Sequence, residues 1–129
     1  MRNVWAWVVF GAFALHNLEE ALAAPAYFER MAGRLTVPWP SPAAFQAATA
    51  AVTLAGLVLT VLAVRFDRPG LVTVIAVVML VNVLVPHVPL ALYSGGYAPG
   101  LVTAVLLNLP ADLFWLTRFR RSGPVGAER

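Results

Sequence analysis

Hydrophobic positions run along this chain in long blocks, and charged positions are confined mostly to the ends of those blocks. No Asp, Glu, Lys or Arg occurs between Arg34 and Arg65, or between Arg68 and Asp112. A water-soluble domain cannot hide apolar segments of this length. A helix crossing a hydrocarbon core of about 30 Å, in contrast, needs about 20 such residues. The pattern therefore predicts an integral membrane protein.

Four membrane-spanning segments follow from the pattern, and each is expected to be a helix because lipid offers the backbone no hydrogen-bond partners. The predicted spans cover about residues 4–24, 42–64, 70–93 and 99–116. They make up a single transmembrane domain of residues 1–121, an all-α four-helix bundle, and residues 122–129 are expected to form a flexible tail. The turn-rich segment 94–100 suits an antiparallel connection between the last two spans.

The segment between the first two spans, residues 25–41, is typical of neither a span nor a simple loop. It contains three prolines, three charged residues and three aromatic residues. We expect a short interfacial helix around residues 26–31 and then an extended stretch at the outer surface. Two interpretations stay open: the segment caps a cavity between the helices, or it is a well-anchored loop.

The nine arginines predict the orientation of the bundle. With the N-terminus inside, seven arginines lie on the cytoplasmic side and only Arg30 and Arg34 lie outside, which is a positive-inside bias. Both termini are therefore predicted to be cytoplasmic. No nucleic-acid partner is expected, because the basic residues behind the net charge of +3 lie at span ends. The 60% apolar composition excludes a disordered chain, and the absence of cysteine excludes a disulfide scaffold.

Polar side chains inside the spans carry the candidate chemistry: His16, Asn17, Glu19 and Glu20 in the first span, Asn82 and His87 in the third, and Asn108 and Asp112 in the fourth. His16, Glu19 and Glu20 share one helical face through their i, i+3 and i+4 spacing. A rise of about 1.5 Å per residue places most of this set about 17–24 Å above the inner face, with Asp112 at about 12 Å. Residues of three helices thus fall in one layer, which predicts a shared site.

Two adjacent glutamates at this depth need compensation, because an ionised carboxylate in a bilayer costs at least about 2.5–3.5 kcal/mol. A shared proton, a bound cation or water from outside would each provide it. The structural alternative is that Glu19 and Glu20 mark the outer interface, while His16 and the asparagines only pack and link helices. Asp112 could equally pair with an arginine at the end of its span.

The sequence resembles the HXXEE family of small bacterial membrane proteins. The resemblance rests on the H-x-x-E-E motif at residues 16–20, the later Asn82 and His87, and the Y-x-P-G motif at residues 97–100. It covers most of the chain and implies a multi-span fold with a site at His16, Glu19, Glu20, Asn82, His87 and Tyr97. It implies no particular activity, so the function has to come from the chemistry of the residues.

Two mechanisms fit these side chains. In the first, His16, Glu19, Glu20 and His87 bind a divalent transition metal such as Zn, Fe or Mn, which would support hydrolase or oxidoreductase chemistry. In the second, no cofactor is present, and a protonated glutamate with a histidine or carboxylate base drives isomerisation or cyclisation. Both assign catalysis to His16, Glu19, Glu20, Asn82 and His87, and substrate binding to Tyr97, Asn108 and Asp112.

We therefore expect a membrane-embedded enzyme that acts on a lipophilic small molecule. A multi-pass protein of this kind would lie in the cytoplasmic membrane of a bacterium, among membrane lipids. A proton-coupled transporter or channel subunit, and a lipid-binding protein without catalysis, are the alternatives. The sequence also leaves a homo-oligomer open.

Overall fold

Four helices make up the chain in the computed structural model, which describes residues 1–34 and 38–119. They are α1 (Arg2–Met31), α2 (Pro42–Arg65), α3 (Pro69–Ser94) and α4 (Leu101–Phe119). The described residues contain no β-strand. The predicted all-α fold with four helices is confirmed, whereas the predicted C-terminal tail at residues 122–129 lies outside the described residues.

Local sequence explains where the helices begin and end. Ser41 caps α2 by accepting a hydrogen bond from the Ala44 amide at 3.2 Å, and Pro42 follows it at the first helical position. Helix α3 ends at Gly95, whose left-handed φ of 69° permits the amides of Gly95 and Gly96 to close the last turn. The chain can then reverse into α4.

Three of these helices, α2, α3 and α4, are long and apolar enough to cross a membrane. Helix α1 is not among them, because its second half carries the polar residues of the H-x-x-E-E motif. Large apolar side chains such as Leu54 and Leu106 are exposed on the outside of the bundle, while His16 and Asn108 are buried inside. This arrangement is typical of a protein surrounded by lipid. The role of α1 as a fourth span and the cytoplasmic termini stay predictions.

Helix α1 runs without a break through Pro25, so the helix expected around residues 26–31 is its continuation. A proline inside a helix deprives the carbonyl four residues earlier of its donor. Here that carbonyl belongs to Ala21, and the Gln46 side chain of α2 donates to it at 3.1 Å. A donor from a neighbouring helix therefore replaces the one that Pro25 lacks.

Two irregular turns interrupt α3 and α4 where they pass the polar residues. In α3, the wide turn Val83–His87 contains Pro86 and an extended Val85 with φ −146° and ψ 114°. In α4, the wide turn Ala104–Asn108 precedes Pro110. Such turns rotate the following residues about the helix axis and recur at functional sites. They decide which side chains face the interior.

Two apolar clusters lie on either side of the polar layer. The larger one packs α1, α3 and α4 together around Val9, Phe13, Met79 and Trp115. The smaller one joins Tyr27, Met31 and Ala98, with Phe28 and Trp39 packed against it. The polar residues between the clusters are thus held by well-packed helices on both sides.

Candidate metal centre

His16 is fixed by contacts with the start of α4. Its Nδ1 lies 3.1 Å from the Gly100 carbonyl oxygen and 3.2 Å from Thr103 Oγ1. A carbonyl oxygen only accepts hydrogen bonds, so Nδ1 must carry the proton. With the proton at Nδ1, the neutral form of the ring has its lone pair at Nε2, on the side away from α4.

His87 and Asn82 face that lone pair from α3. The wide turn at Val83–His87 brings His87 Nε2 to 3.2 Å from His16 Nε2, with the two rings nearly perpendicular. Asn82 Nδ2 lies 3.0 Å from His87 Nε2 and 3.1 Å from His16 Nε2. Both histidine rings are almost completely buried.

Glu20 completes the cluster from the turn of α1 that follows His16. Its Oε1 lies 3.3 Å from His87 Nε2 and 3.6 Å from His16 Nε2. One potential ligand atom from each of His16, Glu20 and His87 lies within 4.8 Å of the other two. We call these three residues and Asn82 the His/Glu centre.

Glu19 is held in a different place from its neighbour Glu20. Its Oε1 accepts a hydrogen bond from the Tyr97 hydroxyl at 2.7 Å. Its Oε2 accepts from the Thr103 amide at 2.9 Å and from the Thr103 hydroxyl at 2.6 Å. The Glu19 carboxylate therefore binds the first turn of α4 and is not part of the cluster of potential ligand atoms among the described residues.

An apolar cavity of about 260 Å³ opens beside the His/Glu centre. Glu20 and His87 supply the polar part of its wall. The remaining lining is mostly aromatic and proline side chains: Tyr27, Phe28, Pro38, Trp39, Pro40, Phe45, Pro86 and Pro99, with Ala24 and Leu90. Part of the segment predicted at residues 25–41 therefore lines the cavity.

Comparison with known protein families identifies the family of this chain. The family model described as "protein of unknown function with HXXEE motif" matches residues 7–115, which is most of the chain. The chain belongs to the HXXEE family. No curated protein and no solved structure was found to match it.

The HXXEE motif acquires a physical interpretation from these contacts. Its histidine and its second glutamate, His16 and Glu20, lie one helical turn apart and converge on His87. Its first glutamate, Glu19, binds Tyr97 and Thr103 instead. The two adjacent glutamates of the HXXEE motif thus serve two different groups of partners.

Gly100 and Thr103 belong to the site of this HXXEE protein although sequence reasoning assigned them no site role. A Cβ added at Gly100 would lie 2.6 Å from His16 Cε1 and 2.8 Å from both Glu20 Cγ and His87 Cε1. Gly100 also has a φ of +80°, which favours glycine. The sequence signal for Gly100 was its place in the Y-x-P-G motif, whereas Thr103 stands in an apolar run without any signal.

The three residues predicted to bind substrate occupy other positions. Tyr97 reaches Glu19, next to the centre. Asn108 and Asp112 are buried in α4, and no hydrogen bond or ion pair among the described residues links either of them to the His/Glu centre. No described arginine pairs with Asp112 either. The structure therefore brings together His16, Glu20, Asn82 and His87, with Glu19 and Tyr97 beside them.

Proposed function

We propose that this HXXEE protein is a membrane-embedded zinc enzyme that hydrolyses a small lipophilic substrate. Zinc would be held by His16, Glu20 and His87, and the substrate would occupy the apolar cavity. The observation that carries the proposal is the convergence of two imidazole Nε2 atoms and one carboxylate oxygen on a single point.

The distances between those atoms support a tetrahedral metal. Zinc binds histidine nitrogen and carboxylate oxygen at about 2.0–2.1 Å, and the corners of such a tetrahedron are about 3.3–3.4 Å apart. The observed separations of 3.2, 3.3 and 3.6 Å lie around this value. Ligands at right angles around an octahedral ion at about 2.1 Å would be closer, about 3.0 Å apart.

The electrostatics of the centre support a cation as well. If both histidines carry their proton at Nδ1, two Nε2 lone pairs and the Glu20 carboxylate lie within 3.2–3.6 Å of one another and repel each other. A divalent cation between them would offset this repulsion. Proteins orient metal-binding histidines by a hydrogen bond from the other ring nitrogen, and His16 Nδ1 donates such a bond to the Gly100 carbonyl.

Hydrolysis follows from the open side of the proposed zinc site. Two of the three ligand residues, Glu20 and His87, also line the cavity, so a substrate there would reach the metal. Zinc polarises a carbonyl group and lowers the pKa of a bound water, which becomes the nucleophile. The apolar walls favour a substrate such as a small ester of an apolar alcohol.

A second candidate function needs no metal and is favoured by one observation. The Asn82 amide nitrogen lies within hydrogen-bond distance of both histidine Nε2 atoms, at 3.0 and 3.1 Å, and could satisfy them by donation. In that case Glu20, 3.3 Å from His87, would act as the general acid of an isomerase or cyclase on a substrate in the same cavity.

Metal analysis of the purified protein distinguishes the two candidates. We expect about one zinc per chain by plasma mass spectrometry, and loss of that zinc in Glu20→Gln and His87→Gln. Glu29→Gln is the matched control, because Glu29 is an exposed glutamate of the same helix. Zinc-dependent hydrolysis of para-nitrophenyl acetate in detergent micelles, abolished by Glu20→Gln, would support the enzyme. Wild-type protein without metal would overturn the zinc proposal in favour of the second candidate.

A further inference from the structure

The first glutamate of the motif is connected to the His/Glu centre through one intervening residue. Thr103 Oγ1 lies 2.6 Å from Glu19 Oε2 and 3.2 Å from His16 Nδ1. A threonine hydroxyl has one proton to donate and two lone pairs that accept. The short contact takes that proton to Glu19, since a carboxylate is the stronger acceptor.

The direction of the remaining bond then follows. With its proton donated to Glu19, the Thr103 oxygen can only accept from His16 Nδ1. The Gly100 carbonyl accepts from the same nitrogen at 3.1 Å. Both contacts therefore favour the His16 tautomer that is protonated at Nδ1 and has its lone pair at Nε2.

We propose that Glu19 is a positioning residue for the centre, acting on His16 through Thr103 in a carboxylate–hydroxyl–imidazole chain. Glu19 orients the hydroxyl, and the hydroxyl holds the His16 ring with Nε2 directed at the metal position. This inference rests on the proposed zinc function.

Burial and backbone contacts give the chain its rigidity. His16 is fully buried, so its ring cannot turn to another partner without losing these bonds. Glu19 is held a second time by the Thr103 amide and a third time by Tyr97. Helix α1 therefore binds the start of α4 at Thr103, which also contacts His16.

Zinc affinity in four variants tests the chain. We expect Glu19→Gln and Thr103→Val to weaken zinc binding about 10- to 100-fold, as the loss of hydrogen-bond partners of metal-binding residues does. Thr103→Ser, which keeps the hydroxyl, should restore affinity to within about threefold of wild type. Because the two residues act in series, the double variant Glu19→Gln/Thr103→Val should lose about as much as either single variant.

A metal-free measurement tests the same chain independently. The protein has two histidines, so His87→Gln leaves His16 as the single imidazole in a nitrogen-15 NMR spectrum. We expect the Nδ1-protonated tautomer in that background and a smaller fraction of it when Thr103→Val is added, because only the Gly100 carbonyl then accepts from Nδ1. Glu29→Gln should cause no change. If Thr103 had a merely structural role, its replacement would not change the His16 tautomer.

The outcomes separate this inference from the zinc proposal. If wild-type protein binds no zinc but Thr103→Val changes the His16 tautomer in the His87→Gln background, the zinc function is overturned and the chain is kept. If Glu19→Gln and Thr103→Val change neither the zinc affinity nor the His16 tautomer, the chain is overturned. This holds even if both variants lower the unfolding temperature. Additive losses of affinity in the double variant would also overturn it.

Discussion

Two polar regions lie in the same apolar bundle, and they differ in how their groups are satisfied. In the His/Glu centre, His16 of α1 contacts Asn82 and His87 of α3 as well as the start of α4. The other region is the pair Asn108 and Asp112, which are 0% and 1% exposed. Both amide atoms of Asn108 and one carboxyl oxygen of Asp112 have no hydrogen-bond partner among the described residues.

The difference shows that a shared depth does not make a shared site. The side chains of the centre come from two helices, α1 and α3, and His16 also contacts the start of α4, so that each polar side chain meets a partner from another helix. Asn108 and Asp112 lie four residues apart on α4, and neither reaches a described partner on a neighbouring helix. A polar group buried without a partner costs about 1–3 kcal/mol. The His/Glu centre is therefore expected to lose its arrangement when its contacts are removed. Asn108 and Asp112, in contrast, are expected to lower the stability of the fold.

The largest expected effect comes from closing the space in the His/Glu centre with Gly100→Ala. The new Cβ would meet His16, Glu20 and His87 at 2.6–2.8 Å and push the proposed ligands apart. Zinc affinity should fall by more than in Glu19→Gln or Thr103→Val, for which a loss of about 10- to 100-fold is expected. The measurement is competition for zinc with a chelator of known affinity.

Gly95→Ala is the matched control for this substitution. Gly95 has a similar φ of +69°, but nothing lies within 4 Å of the position of its Cβ. It therefore carries the same backbone strain, about 1–3 kcal/mol, without the clash. Equal zinc affinities in the two variants would show that the space at Gly100 does not matter to the centre.

At Asn108 and Asp112 we expect an effect of intermediate size, which is a gain in stability. Asn108→Leu and Asp112→Leu remove groups without described partners, so each should raise the free energy of unfolding in detergent by about 1–3 kcal/mol. Asn17→Leu is the control, because the Asn17 side chain donates to Thr53 Oγ1 at 2.8 Å. That variant should be less stable than wild type by about 0.6 kcal/mol.

Destabilisation by Asn108→Leu as large as that by Asn17→Leu would contradict the comparison. It would mean that Asn108 has a partner in the native protein beyond the described residues. Chemical unfolding of all three variants in one detergent, followed by circular dichroism, gives the free energies to compare.

Much of the centre could be predicted from the sequence because it depends on local periodicity. The i, i+4 spacing of His16 and Glu20 places them on one face of any regular helix. The cost of burying charge then marks them as a site, with Asn82 and His87 as polar residues at a similar depth. The four helices follow in the same way from the long apolar blocks.

The remaining features of the site depend on contacts between helices. The spacing of residues along one helix does not predict those contacts. Counting a regular rise placed Asn108 in the layer of His16, but depth says nothing about the direction in which a side chain points. The wide turns in α3 and α4 change that direction. The first span was predicted to end at about residue 24, yet α1 continues through Pro25, and Gln46 of another helix donates to the carbonyl that the proline leaves without a donor. Thr103 is recognisable only from its contact with Glu19.

The smallest effect is expected at the edge of the first region, where Tyr97 donates to Glu19 at 2.7 Å. Partial burial and this hydrogen bond raise the pKa of Tyr97 from 10.0 to about 12. Since Tyr97 is 41% exposed, Tyr97→Phe should cost only about 0.5 kcal/mol at neutral pH.

The pH dependence of that small difference has a definite sign. The folded protein holds the phenolic proton more tightly than the unfolded chain, so the contribution of Tyr97 is complete below pH 10 and is lost as the pH rises through about 12. The stability difference between wild type and Tyr97→Phe should therefore shrink across this range in unfolding experiments. Tyr93→Phe, which removes a hydroxyl donated to the Arg34 carbonyl, is the control. A difference that stays constant to pH 12 would show that the Tyr97 proton is not held by Glu19. The contacts of Glu19 with this part of the chain would then be those with Thr103 of α4.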